Sequence, residues 1–191
     1  AGKAVIIKLF ASEGKAQKDF QREIQGINTV KDSEVNTPAL LATVMEAHGS
    51  ALIYQFIENS QRFQLGDSSP ERLKLLSTLM LTLHLDGLYQ DDIHLDNLLL
   101  NGHEIVLLDL GSVKQSNDGK ALDKDTSLTN LARLIAQFSL QEQMTLKPLI
   151  EMYYHGRDWE YTEDEQRQFT TRLEKVWQKR KSQYLKKCFR P

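Results

Sequence analysis

The chain has 191 residues, 40% of them hydrophobic, and a formal net charge of −2. That length suits one large domain or two small lobes, and the balanced charge gives no general sign of a nucleic-acid binder. The lone cysteine, Cys188, excludes an internal disulfide and fits a reducing compartment. No apolar run reaches membrane-spanning length, and residues 4–10, interrupted by Lys8, do not form a signal peptide.

Residues 4–10 (AVIIKLF) are β-branched enough to predict a strand. Lys8 puts a charge in its middle, where a lysine can discourage edge-to-edge pairing or serve a site. Residues 12–28 predict a helix, with Phe20, Ile24 and Ile27 on one stripe and Glu23 beside it, within reach of a neighbouring strand. Residues 35–42 predict a loop broken by Pro38 and then a strand, and residues 43–47 a second short strand. His48-Gly49 is a turn, and residues 51–57 (ALIYQFI) predict a core strand. Asp67-Ser68-Ser69-Pro70 ahead of Glu71 supplies a cap and an early proline for a helix. Its buried side is Leu73, Leu76, Leu79, Met80 and Leu83, and Gly87 ends it. His84 on that helix reads as a packed or capping histidine, and no His/Cys spacing suits zinc.

Residues 88–113 (LYQDDIHLDNLLLNGHEIVLLDLGSV) are the most informative stretch. Two apolar runs, 98–100 and 105–108, flank Asn101-Gly102, a tight-turn signal, so a small β-hairpin is expected. Asp92 and Asn97 precede the first run and Asp109 follows the second, which predicts that the three meet at the open end of the hairpin. Such a trio suits phosphoryl transfer: one carboxylate takes the proton of an attacking hydroxyl, while an amide oxygen and a second carboxylate hold Mg²⁺. An Asp before Gly is also a common turn, and the hairpin spacing is what favours the chemical reading over that one.

Residues 112–124, rich in Ser, Asn, Asp, Gly and Lys, predict a mobile loop. Leu128, Leu131, Leu134, Ile135 and Phe138 mark an amphipathic helix, residues 140–154 a further one, and Thr162-Glu163-Asp164-Glu165 a capping-box start for a last helix reaching about Phe189. From Lys175 onward there are seven basic residues and no acidic one, leaving the rest of the chain at −9. With Trp177, Tyr184 and Phe189 interleaved, this ending suits an anionic membrane surface, a phosphate-rich substrate, or a solvated helix packed on the domain. No nucleic-acid motif accompanies it.

Lys8, Glu23, the Asp92–Asn97 loop and Asp109-Leu110-Gly111, in this order, resemble the protein-kinase-like superfamily over nearly the full chain. Gln90-Asp91 stands where protein kinases have His-Arg, and Leu110 where they have Phe. Asp-Ile-His is nearer to the D-L-H of aminoglycoside-type and lipopolysaccharide-type kinases. IHLDNLLL (93–100), LTNLARLIAQF (128–138) and the basic ending look most similar to bacterial lipopolysaccharide kinases of the Kdo and core heptose type. The resemblance implies an α+β, two-lobed fold: residues 1–59 as a small antiparallel-sheet lobe, and residues 60–191 as a mainly helical lobe carrying the hairpin. It implies ATP and Mg²⁺ as cofactors and transfer of the γ-phosphoryl group to a sugar hydroxyl of the lipopolysaccharide inner core, in the cytoplasm at the inner-membrane face. Asp92 would be the base, Asn97 and Asp109 the Mg²⁺ ligands, Lys8 the phosphate contact with Glu23 as partner, and Gln55, Phe56 and Ile57 the adenine-binding hinge. Two alternatives stay open: a kinase acting on a protein or another small molecule, and a pseudokinase serving as a binding module. No glycine-rich loop precedes Lys8, which points to a chain that begins within a longer protein.

Overall fold

The structure, a computed structural model, describes residues 3–63 and 69–188. Helices and small antiparallel sheets alternate along the chain. In the first sheet β1 (Val5–Ala11) and β2 (Leu40–Glu46) flank the central β3 (Gly49–Gln55). Alternation along the strands turns Phe10, Leu52 and Tyr54 inward, onto α1 (Gly14–Val30), where Phe20 meets the Phe10 ring edge-on at 5.4 Å between centroids. The opposite face of this sheet leaves Ile7, Leu9 and Val44 exposed.

Three expectations change here. After the loop expected from residue 35, the two short strands expected up to residue 47 are one, β2 (Leu40–Glu46), with a register shift between Leu40 and Ala42 in place of the gap. α1 begins two residues later than its spacing suggests, at Gly14, whose φ of +62° glycine adopts at little cost. β3 ends at Gln55, so Phe56 and Ile57 leave the ladder.

The second and larger core gathers around α2 (Pro70–Leu85), whose Leu73, Leu76, Leu79, Met80 and Leu83 are buried as the periodicity predicts. Asp67 and Ser68, expected to cap it, lie outside the described residues. A two-residue strand, β4 (Gln61–Arg62), joins the hairpin of β6 (Leu98–Asn101) and β7 (Glu104–Leu107). Asn101 pairs with Glu104, so the loop is Gly102-His103, one residue beyond the expected Asn101-Gly102. Gly102 takes φ +61° at the first loop position, where a two-residue hairpin favours glycine.

β5 (Leu88–Gln90) pairs with β8 (Val113–Gln115). The start of the segment expected to be a mobile loop is therefore a strand, extended by hydrogen bonds from Asp91 N–H to Ser112 O and from Ser116 N–H to Gly87 O. α3 (Lys124–Ile135) starts at an Asp123 carboxylate that accepts the Thr126 N–H. The single helix expected over 140–154 is interrupted: α4 (Leu140–Gln143) passes through a 3-10 turn into α5 (Lys147–Gly156). Pro148 has no N–H to return to residue 144, so a continuous helix cannot run through it. At the start of α6 (Glu163–Cys188) the Thr162 hydroxyl accepts the Glu165 N–H. The Glu165 carboxylate, instead of closing a capping box, takes Lys124 Nζ at 2.7 Å and the Tyr154 hydroxyl at 3.1 Å, pinning α6 to α3 and α5. Among the described residues, no helix is long and apolar enough to cross a membrane.

A buried polar chain runs through the larger core. The Asn130 amide donates to the Gln90 carbonyl at 2.8 Å, which leaves Asn130 Oδ1 to accept from His84 Nε2 at 3.1 Å. His84 Nδ1 must then accept the Tyr153 hydroxyl at 2.6 Å, so the imidazole is neutral and protonated on Nε2. Burial lowers its pKa to about 4; the Asn130 hydrogen bond opposes the shift and the Arg157 charge adds to it. Because the folded value lies below the ordinary 6.5, the stability linked to His84 is complete above about pH 6.5 and is lost as pH falls toward 4. Urea denaturation across that range should show His84→Gln converging on the parent protein as pH drops, their difference shrinking by about 2–3 kcal/mol. A pH-independent difference would contradict the neutral, buried imidazole.

Candidate active site

Lys8 emerges from the middle of β1 on the side facing α1 and meets two carboxylates there. Its ammonium lies 3.0 Å from Glu23 Oε2 and 2.6 Å from Asp109 Oδ1. Burial alone would lower the lysine pKa, but the Asp109 hydrogen bond and the charges of both carboxylates outweigh it and raise the value. Lys8 is thus a fixed cation at neutral pH. Glu23, only 3% exposed, is bound from four directions. Besides Lys8, its Oε1 accepts the Tyr54 hydroxyl at 3.1 Å and the Leu110 N–H at 3.3 Å, and its Oε2 accepts the Gly111 N–H at 3.0 Å. Burial, then the Glu23 charge, pushes the Tyr54 hydroxyl pKa up, so it stays a proton donor.

The Asp109-Leu110-Gly111 turn lies directly on α1. A Cβ at Gly26 would stand 1.9 Å from the Leu110 carbonyl oxygen, and one at Gly111 3.1 Å from Glu23 Oε2. Asp109 has a left-handed backbone, φ +55°, which few residues other than glycine, asparagine and aspartate adopt. From below, the buried Gln90 amide donates to the carbonyls of Leu108 at 3.3 Å and Asp109 at 3.0 Å. Gln90 thus supports the turn from the end of β5. Neither Gly26, Gln90 nor Tyr54 stands out as a site residue in the sequence; a glycine inside a predicted helix is the one signal that singles out Gly26.

A cavity of about 520 Å³ opens beside this turn, within the usual size of ligand pockets. Lys8, Glu23, Asn97 and Asp109 line it together with Gln55, Phe56 and Ile57. The last three follow the end of β3, where Phe56 N–H donates to Ala4 O at 3.4 Å and Ser60 Oγ donates to Ile57 O at 2.9 Å. Leu99, Leu108 and Ile6 give the cavity apolar walls. Asn97 and Asp109 offer hard oxygen donors on one wall, and one Asp109 oxygen is free of the Lys8 contact. Such a pair fits an ion that takes most of its remaining ligands from water and phosphate. Among the described residues no cluster of three His, Cys, Asp or Glu side chains is placed to hold a metal.

Asp92 does not line that cavity. Asn97 lies in a 3-10 turn, Leu95–Asn97, whereas Asp92 borders a second groove of about 860 Å³ with Arg133 and the basic face of α6. Its neighbour Asp91 pairs with Arg133 Nη1 at 2.9 Å and with Lys114. Burial would raise the Asp91 pKa, but these two cations hold it below the usual carboxylate range.

Removing the Glu23 carboxylate strands a partly buried ammonium and two backbone N–H groups. Glu23→Ala should lower unfolding stability by about 1–3 kcal/mol, less than a fully buried pair because Lys8 is partly solvated and keeps Asp109. Gly26→Ala should cost about 1–3 kcal/mol through overpacking, exceeding the roughly 1 kcal/mol that alanine gains in helix propensity. Chemical denaturation checks both, and a stabilised Gly26→Ala would rule out the close approach of α1 to Leu110.

No protein-family model matches the sequence, and none of the curated proteins matches it. Solved structures of WbdD are similar in fold. One, described as a bifunctional kinase-methyltransferase, matches over 90% of this chain with a TM-score of 0.51 and 14% identity. WbdD with the kinase inhibitor LY294002 matches over 89% with a TM-score of 0.54 and 14% identity. A 2.2 Å crystal structure of WbdD matches over 90% with a TM-score of 0.51 and 15% identity. This chain covers 46–47% of those proteins' length, and at such identity the likeness is one of fold.

Proposed function

We propose that this chain carries the catalytic site of an ATP-dependent phosphotransferase of protein-kinase-like fold, with residues 1–59 as the smaller lobe and 60–191 as the larger. Its acceptor is a sugar hydroxyl of the lipopolysaccharide inner core, Kdo or heptose, at the cytoplasmic face of the inner membrane. The observation that carries the reading is Lys8, held between Glu23 and Asp109 on a cavity that also receives Asn97. A cation locked in place by a buried carboxylate is preorganised to meet phosphate oxygens without reorganising during the reaction. The fold likeness to a kinase-containing protein supports it. The sugar acceptor rests on the resemblance of residues 93–100, 128–138 and the basic ending to lipopolysaccharide kinases.

In this reading the hinge residues Gln55, Phe56 and Ile57 seat the adenine, and the apolar walls exclude water from it. Lys8 contacts the phosphates, while Glu23 fixes its direction. Asn97 and Asp109 would hold Mg²⁺, which when bound neutralises charge on the phosphate oxygens. Asp92 orients the acceptor hydroxyl and takes its proton as the new bond to the γ-phosphorus forms and the bond to ADP breaks. Gln90 supports the Asp109 turn, while Asn130 holds the Gln90 carbonyl and Gln137 the Ile93 carbonyl and Leu95 N–H on either side of Asp92.

Turnover of labelled ATP by the full-length protein on inner-core lipopolysaccharide tests this. Asp92→Asn should lower kcat by about 10²–10⁴ while leaving Mg-ATP affinity within about twofold. Lys8→Ala should lose both affinity and rate. Full turnover in Asp92→Asn would refute the assignment of the base, and no turnover on any sugar acceptor by a protein that binds Mg-ATP would refute the substrate.

A further inference from the structure

The loop around Asp92 is gripped by its backbone from one side. Asn130 and Arg133 of α3, and Gln137 in the turn that ends the helix, follow one another at helical spacing and reach the same segment. Asn130 takes the Gln90 carbonyl, as described above. Arg133 Nη1 donates to Asp91 O at 3.3 Å and to Asp91 Oδ1 at 2.9 Å. The Gln137 amide makes a two-point contact further on: Nε2 donates to Ile93 O at 2.9 Å, and Oε1 accepts the Leu95 N–H at 2.8 Å. Only one orientation of that amide satisfies both partners. Gln137 Nε2 also donates to Arg133 O at 3.4 Å, which ties the two clamps to each other. Arg133 and Gln137 thus close on both flanks of Asp92.

Holding a loop down does not by itself call for this arrangement. Peptide groups covered by a helix need partners, and scattered donors meet that need. Here the contacts bracket one residue, the acid that borders the groove, and Arg133 borders the groove with it. The same guanidinium and Lys114 pair with the adjacent acid, Asp91, so its charge is matched. The two recesses supply the reason for such care. Asn97 and Asp109 line the nucleotide cavity, Asp92 lines the groove, and the two share no lining residue. A hydroxyl oriented at Asp92 must meet a phosphorus held in the other recess. Gln90 fixes the Asp109 side of that offset, and Arg133 and Gln137 fix the Asp92 side. A misplacement of about 1 Å at such a step costs roughly 10²-fold in rate.

We infer that Arg133 and Gln137 are positioning residues of the transfer step. They set where the Asp92 carboxylate stands relative to the nucleotide cavity, Arg133 from the chain before it and Gln137 from the chain after it. This rests on the phosphotransferase reading, in which Asp92 takes the proton of the acceptor hydroxyl. Neither residue touches the reacting atoms.

The full-length protein is assayed with labelled ATP and inner-core lipopolysaccharide, with Mg-ATP affinity measured by calorimetry and amide exchange followed by mass spectrometry. Gln137→Leu and Arg133→Met should each lower kcat at least about tenfold and leave Mg-ATP affinity within about twofold. Gln137→Leu should also speed exchange in the segment containing Leu95. Arg133→Lys, which keeps a donor, should recover part of the loss. Placed in the Asp92→Asn protein, Gln137→Leu and Arg133→Met should change kcat by less than about twofold, because the carboxylate they position is gone. A merely structural tie lowers the rate by the same factor in both backgrounds, and that result overturns the inference. Faster exchange at the parent kcat overturns it too, as does a loss of Mg-ATP affinity in step with kcat. Should Gln137→Leu not fold, Gln137→Glu, which keeps the acceptor for Leu95 and loses the donor to Ile93, carries the same comparison alongside the Arg133 variants. If Asp92→Asn is impaired and the Arg133 and Gln137 variants are not, the inference falls alone. If Asp92→Asn keeps full turnover, or the parent protein turns over no sugar acceptor, the phosphotransferase reading falls and the inference with it.

Discussion

A buried carboxylate is tolerated in a protein only when its charge is matched and its lone pairs are filled. Glu23 meets both conditions, and much of the site's geometry follows from that. It needs a cation, so Lys8 of β1 is drawn inward. It needs donors, so the backbone N–H groups of Leu110 and Gly111 are brought against α1 and the Tyr54 hydroxyl of β3 turns toward it. The helix can approach the turn this closely only because residue 26 has no side chain. Asp109 is then delivered to Lys8 as a consequence, with its backbone in a conformation that a free chain would rarely sample. One helix residue therefore joins both antiparallel strands and the acidic turn into a unit.

The opposite side of the site is held by amides rather than ion pairs. Gln90 spans from β5 to the Leu108 and Asp109 carbonyls, and its own carbonyl is held by Asn130, which is held by His84 and Tyr153. Each partner in this relay is neutral, so it fixes direction without the desolvation cost of a charge. Its one blemish is Gln90 Oε1, buried without a hydrogen-bond partner among the described residues.

Periodicity made α1, α2 and α3 legible, because each buries a continuous apolar stripe, and the hairpin could be read from its two short apolar runs. The Lys8–Glu23 pairing could be anticipated only through the resemblance, since taken alone a lysine in a β-branched strand reads as edge protection and an acid beside a stripe as a solvated residue. Other features leave no such trace. The strand Val113–Gln115 has one apolar residue, too few for a readable alternation, and is completed by its pairing with β5. The break at Pro148 was hidden by apolar spacing that continues across it. That Asp92 borders a different recess from Asn97 and Asp109 is likewise specified by no residue pattern. Gln90 and Gly26 matter through what approaches them, which is a property of tertiary packing.

The position of Lys8 also leaves β1 unguarded. Among the described residues this strand is paired on one side only, by β3, and Leu9 beside the lysine is 77% exposed. A lysine at such an edge ordinarily keeps other chains away, but here its ammonium is turned inward and neutralised. Along the described residues the outer margin of the strand therefore carries Ile7 and Leu9 with no charge turned toward it. Site assembly and protection against sticking draw on the same side chain, and in this fold the site has claimed it.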